Sequence, residues 1–178
     1  MDTLANRITI LRILLIPVYL LLAYLGHPWW AVSVYIVACL TDFVDGYIAR
    51  HYNQVTDVGK FIDPLADKML VLAAMCYFAE TNQMPGWAVA VVLFREFAVS
   101  GLRLIAVEQQ RVIAAAWSGK VKTFATMIVL GFMMVFGAYR WINLLGTAVI
   151  LLTTVYSGVE YFWKNATSSP SQNKEQTL

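Results

Sequence analysis

Six apolar stretches, each close to bilayer-crossing length, divide this 178-residue chain: Ile8 to Leu25, Trp30 to Arg50, Asp63 to Glu80, Gly86 to Gln109, Gly119 to Ala138 and Trp141 to Trp163. Runs of about 20 mostly apolar residues suit a hydrocarbon solvent rather than a water-facing globule. A helix satisfies its own backbone groups in lipid, so the fold expected is an all-α integral membrane protein, a six-transmembrane-helix bundle. The chain is 60% hydrophobic and only 13% charged, which is wrong for a soluble domain of this length. One catalytic-sized domain over residues 1–164 is expected, followed by a flexible polar tail, "NATSSPSQNKEQTL", over 165–178. No internal repeat or second domain is visible.

The 13 Lys and Arg residues are distributed unevenly along this alternating path, and only Arg140 falls at one of the two faces. Arg7 and Arg12 open the first stretch, Arg50 and Lys60 flank the second connection, and Arg111, Lys120 and Lys122 surround the fourth. Lys164 and Lys174 lie in the tail. Positive residues favour the cytoplasmic side, so both termini are expected there. The first stretch is long enough to cross the core and lacks a convincing cleavage site, so it is read as helix one rather than a removed signal. Cys39 and Cys76 stand singly in apolar helices and are read as small buried hydrophobes, with no disulfide or thiolate metal site. The sequon Asn165-Ala166-Thr167 lies in the cytoplasmic tail, where glycosylation cannot use it. A net charge of +2 singles out no partner, and nothing implies nucleic acid.

Against this apolar background the segment "TDFVDGYIARHYNQVTDVGKFIDPLADK", Thr41 to Lys68, holds five of the chain's 11 acids. On a helix Asp42 and Asp45 sit about 60° apart, with Gly46 and Ala49 on the same stripe, and Asp63 and Asp67 about 40° apart. With Tyr52 to Ile62 as a short connection, the two helices are expected to be antiparallel neighbours that bring four carboxylates together. Asp57 is expected in the connecting loop, as a bystander. Four carboxylates alone would repel one another, and ionisable groups at membrane depth are costly. All-oxygen ligation without a paired Cys or His pattern suits Mg²⁺ or Mn²⁺. Two such ions are a recurrent device for phosphoryl-type displacement, which points to a diphosphate substrate. Gly46, Ala49 and Gly59 would let a ligand or a second helix approach the backbone. Two other readings place carboxylates in a bundle. A cation transporter would put them near the bilayer midplane on broken helices, and a membrane prenyltransferase would have no need of the small-residue framework.

Asp42, Asp45-Gly46, Ala49-Arg50, Gly59, Asp63 and Asp67 fit D-x2-D-G-x2-A-R-x8-G-x3-D-x3-D, and through them the chain resembles the CDP-alcohol phosphatidyltransferases. The resemblance implies transfer of a phosphatidyl group from a CDP-linked lipid to an alcohol, with release of CMP. It implies that Asp42, Asp45, Asp63 and Asp67 hold two divalent ions and that Asp67 also takes the proton of the attacking hydroxyl. Asp42, Gly46, Ala49, Arg50 and Gly59 would then contact the CDP-lipid, and a homodimer is expected.

The acceptor has to be sought among the remaining cations. "FREFAVSGLR" places Arg95 and Arg103 about 80° apart and roughly 12 Å along one helix, and "SGKVKT" adds Lys120 and Lys122 at the start of the next. Arginines inside a span need an anionic ligand or a water-filled cavity, and an acceptor carrying its own phosphate would supply the anion. Glu96 is the alternative partner for one of them. Lys68 could also meet phosphate, and Lys60 either does so or snorkels to the headgroups. Together with "NRITILR", Asn6 to Arg12, these segments resemble the bacterial subgroup that uses CDP-diacylglycerol as donor and sn-glycerol 3-phosphate as acceptor in the inner membrane. Inositol phosphate or serine is the nearest alternative acceptor. Asn6, Thr9 and Arg12 either edge the nucleotide site or cap and anchor helix one.

Overall fold

A computed structural model describes residues 4–51, 57–108 and 117–166. Six helices account for nearly all of them: α1 Leu4–Tyr24, α2 Pro28–His51, α3 Asp57–Glu80, α4 Gly86–Glu108, α5 Trp117–Phe136 and α6 Arg140–Ala166. There is no strand among the described residues. Every expected apolar stretch is a helix, with ends shifted by a few residues. The largest difference is at α3, which begins at Asp57 rather than Asp63. Asp57 is thus not a loop residue; it opens a helix, where a carboxylate complements the positive end of the dipole. At the carboxyl end α6 takes in Asn165 and Ala166, and the rest of the expected tail lies outside the described residues.

The three connections that are described are short and lie together. At the first, Gly26 adopts a φ of +77° and its N–H bonds Ala23 O, while His27 N–H reaches back to Leu22 O at 3.0 Å. This pairing satisfies the last carbonyls of α1, and Pro28 then starts α2 at a position that needs no N–H. Asn82, at φ +58°, repeats the device after α3, with Gln83 N–H on Phe78 O at 2.8 Å. After α5 a side chain does the work, Asn143 Nδ2 donating to Gly137 O at 2.7 Å. Tyr77 Oη donates to Ala23 O at 3.3 Å, Tyr24 bonds Glu80, and the Trp29 and Phe136 rings meet edge to face at 6.2 Å. The ends of α1, α3 and α5 and the starts of α2, α4 and α6 therefore form one closed end of the bundle. The end of α2 and the start of α3, which carry the aspartates, lie at the opposite end, and among the described residues Arg140 alone of the Lys and Arg residues lies at the closed one.

Packing is not simply hairpin by hairpin. Besides α1 on α2, α3 on α4 and α5 on α6, α1 packs against α3, α2 against α5 and α4 against α6. The two aspartate-bearing helices were expected side by side; among the described residues they are joined chiefly through α1. Tyr19 is the reason. Fully buried, it meets the Tyr35 ring of α2 edge to face at 5.6 Å and donates its hydroxyl to Leu70 O of α3 at 3.0 Å. Around it the core runs through Ala74, Met75 and Phe78 to Leu130, Met133 and Ile150. Gly146 brings α6 close to α5, since a Cβ there would stand 2.8 Å from Met133 Sδ.

The outer surface is apolar. Val18, Leu21, Ile36, Leu40, Phe94, Phe124, Phe132 and Leu152 are all exposed, which is tolerable only against lipid. Cys76 is exposed too, against expectation; a thiol is small and apolar enough for the lipid side as well as the core. Exposed Trp141 and Trp163 mark the two ends of α6, 22 residues apart, or about 33 Å at the helical rise. Tryptophan favours bilayer interfaces, and that spacing matches a hydrocarbon core. By length and composition, α5 and Arg140–Trp163 of α6 can each cross a membrane, while α1 and α2 hold shorter apolar stretches, Ile8–Tyr24 and Pro28–Thr41.

Tyr19→Phe removes one hydrogen bond worth about 1 kcal/mol and should lower the thermal midpoint in detergent by roughly 2–4 °C. Tyr19→Ala, which also opens a cavity, should cost several times more. Melting followed by circular dichroism checks both, and an unchanged midpoint for Tyr19→Ala would remove Tyr19 from the centre of the fold.

Candidate active site

The aspartates occupy the helix ends opposite the closed connections. Asp42 and Asp45 lie three apart near the end of α2, and Asp63 and Asp67 four apart near the start of α3. Both helices run unbroken through these positions, so the expected register holds in the backbone. The side chains of all four lie outside the described residues, as do the surroundings of Gly46, Ala49, Arg50, Gly59 and Arg103. A donor set of four carboxylates on two continuous helices fits hard divalent cations such as Mg²⁺ or Mn²⁺ by its chemistry. Among the described residues no other group of acids, His or Cys has the makings of a metal site.

Thr9 and Arg12 are fully buried on α1, the helix against which both α2 and α3 pack. That excludes the reading of Arg12 as an interfacial anchor, since a snorkelling guanidinium keeps its head in water. A buried arginine near two acid-bearing helices is instead suited to balance carboxylate or phosphate charge.

The described cations of the site converge on α4. Glu96 Oε1 accepts from Arg95 Nη1 at 3.0 Å and also from Lys122 Nζ of α5. One turn further along α4, Ser100 Oγ accepts from Lys68 Nζ of α3. Because Lys68 follows Asp67 directly, this contact ties the aspartate helix to the basic cluster. The cluster is well shielded, with side-chain exposures of 13% for Arg95, 16% for Glu96 and 7% for Lys122. Arg95 and Lys122 thus meet one carboxylate, two cations to one acid in a low-dielectric setting.

Arg95 also fixes its place against α5 and α6. Its Nη2 would lie 3.9 Å from a Cβ at Gly119, and its Cγ 3.3 Å from one at Gly158. A side chain at Gly158 would crowd Arg95, whereas Gly119 merely borders it. It forms one wall of an otherwise apolar groove of about 500 Å³ between α4 and α6, with Phe94, Thr154, Val155 and Trp163. Lys120 behaves differently. It is exposed, and its Nζ sits 5.9 Å above the Trp117 ring. Of the four cations expected to meet the acceptor, Arg95 and Lys122 are thus brought together, Lys120 stands at the rim, and Arg103 lies outside the described residues. Sequence reasoning gave Glu96 too small a part. An acid beside an arginine on one helix reads as a local pair, and its reach across to α5 has no signature in spacing.

The sequence model of the CDP-alcohol phosphatidyltransferase family matches residues 2–156. The "CDP-diacylglycerol--glycerol-3-phosphate 3-phosphatidyltransferase" of Bacillus subtilis (strain 168) is 38% identical, over 93% of this chain and 96% of its own length. The protein of the same name from Escherichia coli (strain K12) is 35% identical, over 86% and 90%. A "Probable phosphatidylglycerophosphate synthase" of Mycobacterium tuberculosis (strain ATCC 25618 / H37Rv) is 36% identical, over 89% and 79%.

Lys122→Ala would leave the shielded Glu96 carboxylate with one partner fewer, at a cost of about 1–3 kcal/mol, and should lower the thermal midpoint by several degrees. Lys120→Ala, at an exposed position, should leave it within about 1 °C. Equal effects in parallel melts would contradict this placement of the two lysines.

Proposed function

This chain belongs to the CDP-alcohol phosphatidyltransferase family, and on that premise we propose that it transfers the phosphatidyl group of CDP-diacylglycerol to sn-glycerol 3-phosphate, giving phosphatidylglycerophosphate and CMP. It is a transferase of phospholipid synthesis, the activity named for its relatives from Bacillus subtilis and Escherichia coli. The observation that carries the acceptor reading is the Lys68–Ser100 contact. It sets a shielded cluster with surplus positive charge directly beside the aspartate helix, where a phosphorylated alcohol would have to lie.

In this reading Asp42, Asp45, Asp63 and Asp67 hold two divalent ions, Mg²⁺ or Mn²⁺, which when bound neutralise the donor's diphosphate and the charge that develops on it. Asp42, Gly46, Ala49, Arg50 and Gly59 contact the CDP-lipid, with Arg50 neutralising diphosphate charge. Arg95 and Lys122, joined by Arg103 and Lys120 at the rim, fix the acceptor's phosphate, so that its 1-hydroxyl and not water is the nucleophile. Asp67 takes the hydroxyl proton as the oxygen attacks the phosphorus that bears the diacylglycerol. A new P–O bond forms to the acceptor, the bond to the CMP phosphate breaks, and CMP leaves with the electron pair.

The apolar outer surface and the tryptophans at both ends of α6 support a six-span placement in the bacterial inner membrane. The distribution of Lys and Arg along the sequence, with Arg140 alone on the other side of the alternating path, supports cytoplasmic termini and a cytoplasmic active site. The diacyl chains lie in lipid, and the assembly is a homodimer. Unbroken α2 and α3 weigh against an ion transporter, whose sites use interrupted helices at mid-membrane.

Purified protein in mixed micelles with CDP-diacylglycerol and Mg²⁺ or Mn²⁺ should release CMP with sn-glycerol 3-phosphate. It should release little with myo-inositol 1-phosphate or serine; preference for either would overturn the acceptor reading. EDTA should abolish turnover. Asp67→Asn should lose at least about a thousandfold in kcat, in line with loss of a catalytic base together with a metal ligand, while still retaining CDP-diacylglycerol. Near-normal turnover in that variant would refute its role as base.

A further inference from the structure

We propose that Glu96 is a positioning residue of the acceptor site, acting as a resident counter-anion that holds Lys122 and Arg95 in place for the incoming phosphate; this rests on the acceptor reading above. Both cations share the single oxygen Oε1, one from α5 and one from the adjacent position on α4. A structural ion pair would be balanced one to one. Here two cations converge on one carboxylate oxygen, so among the described residues this group carries one positive charge more than Glu96 balances. A phosphate monoester is an anion that can take up that charge.

Glu96 is needed for the state before that arrival. Two shielded cations brought to one point would repel, and a buried lysine without a counter-charge gives up its proton. Either outcome empties the site of the donors that a phosphate requires. Glu96 prevents both and sets the direction of the two cations, because a carboxylate oxygen accepts along defined lone-pair directions. When phosphate enters, Lys122 and Arg95 keep their contacts with Glu96 and turn their remaining N–H donors to the ligand. A lysine has three donors and an arginine five, so sharing is possible without breaking the pair. Glu96 touches no reacting atom in this scheme and acts through its neighbours.

The variants to compare are Glu96→Gln, which keeps shape and loses charge, and Glu96→Asp, which keeps charge on a shorter arm. In steady-state CMP release, Glu96→Gln should raise the KM for sn-glycerol 3-phosphate about tenfold, the scale of one hydrogen bond to a charged group. The KM for CDP-diacylglycerol should stay within about twofold in the same experiment. Glu96→Asp should recover most of the loss, and it carries the test alone if the glutamine variant does not fold, through an acceptor-only rise of about threefold. A merely structural role would move both KM values and kcat together, or neither; that outcome overturns the proposal. Failure of the underlying reading would look different, since the wild-type protein would then be inert toward sn-glycerol 3-phosphate whatever happened at position 96.

Discussion

A charge inside an apolar bundle must be met by another charge, and that requirement decides which ends of these helices come together. Glu96 draws Lys122 across from α5 and holds Arg95 beside it, while Lys68 reaches Ser100 from α3. These contacts pull three helices together on the aspartate side of the bundle. Apolar packing alone would not choose this arrangement, because lipid solvates a leucine as well as another helix does. Polar contacts and close-packed small residues supply the specificity that the hydrophobic effect cannot.

The closed end shows the complementary strategy. There the connections are three or so residues long, the helix carbonyls are capped by backbone or amide donors, and tyrosines tie α1 to α3. Nothing at that end looks like chemistry. Tyr19 extends the same logic to mid-bundle, letting one side chain hold α2 and α3 against α1, so that the two aspartate helices are placed through a third. The positions of Asp42 and Asp67 thus depend on residues that carry no charge.

Much of this was written in the sequence. Apolar run length gave all six helices, since a helix in lipid is dictated by hydropathy more than by any tertiary detail. Spacing gave the aspartate register, because Asp42 to Asp45 and Asp63 to Asp67 are each separations along one helix. What spacing could not give were the relations between helices. The start of α3 at Asp57 was hidden because polar residues there break the apolar run without breaking the helix. The burial of Arg12 and the double duty of Glu96 depend on which helix lies opposite, and a single sequence is silent on that. Cys76 misled for a further reason: an apolar residue in such a chain has two apolar environments to choose between.

The capped connections also have a mechanical consequence. Capped connections fasten α1, α3 and α5 to their successors, so a change of tilt between those helices pivots at that end. Widening the mouth then takes the form of helix tilt, and lever length amplifies it: about 2° over a helix of roughly 30 Å moves the far end by about 1 Å. Small repacking near Tyr24, Tyr77 and Glu80 would accordingly be read out, magnified, as the spacing between the aspartates and the basic cluster. The stiffness of the inert end sets the tolerance of the reactive one.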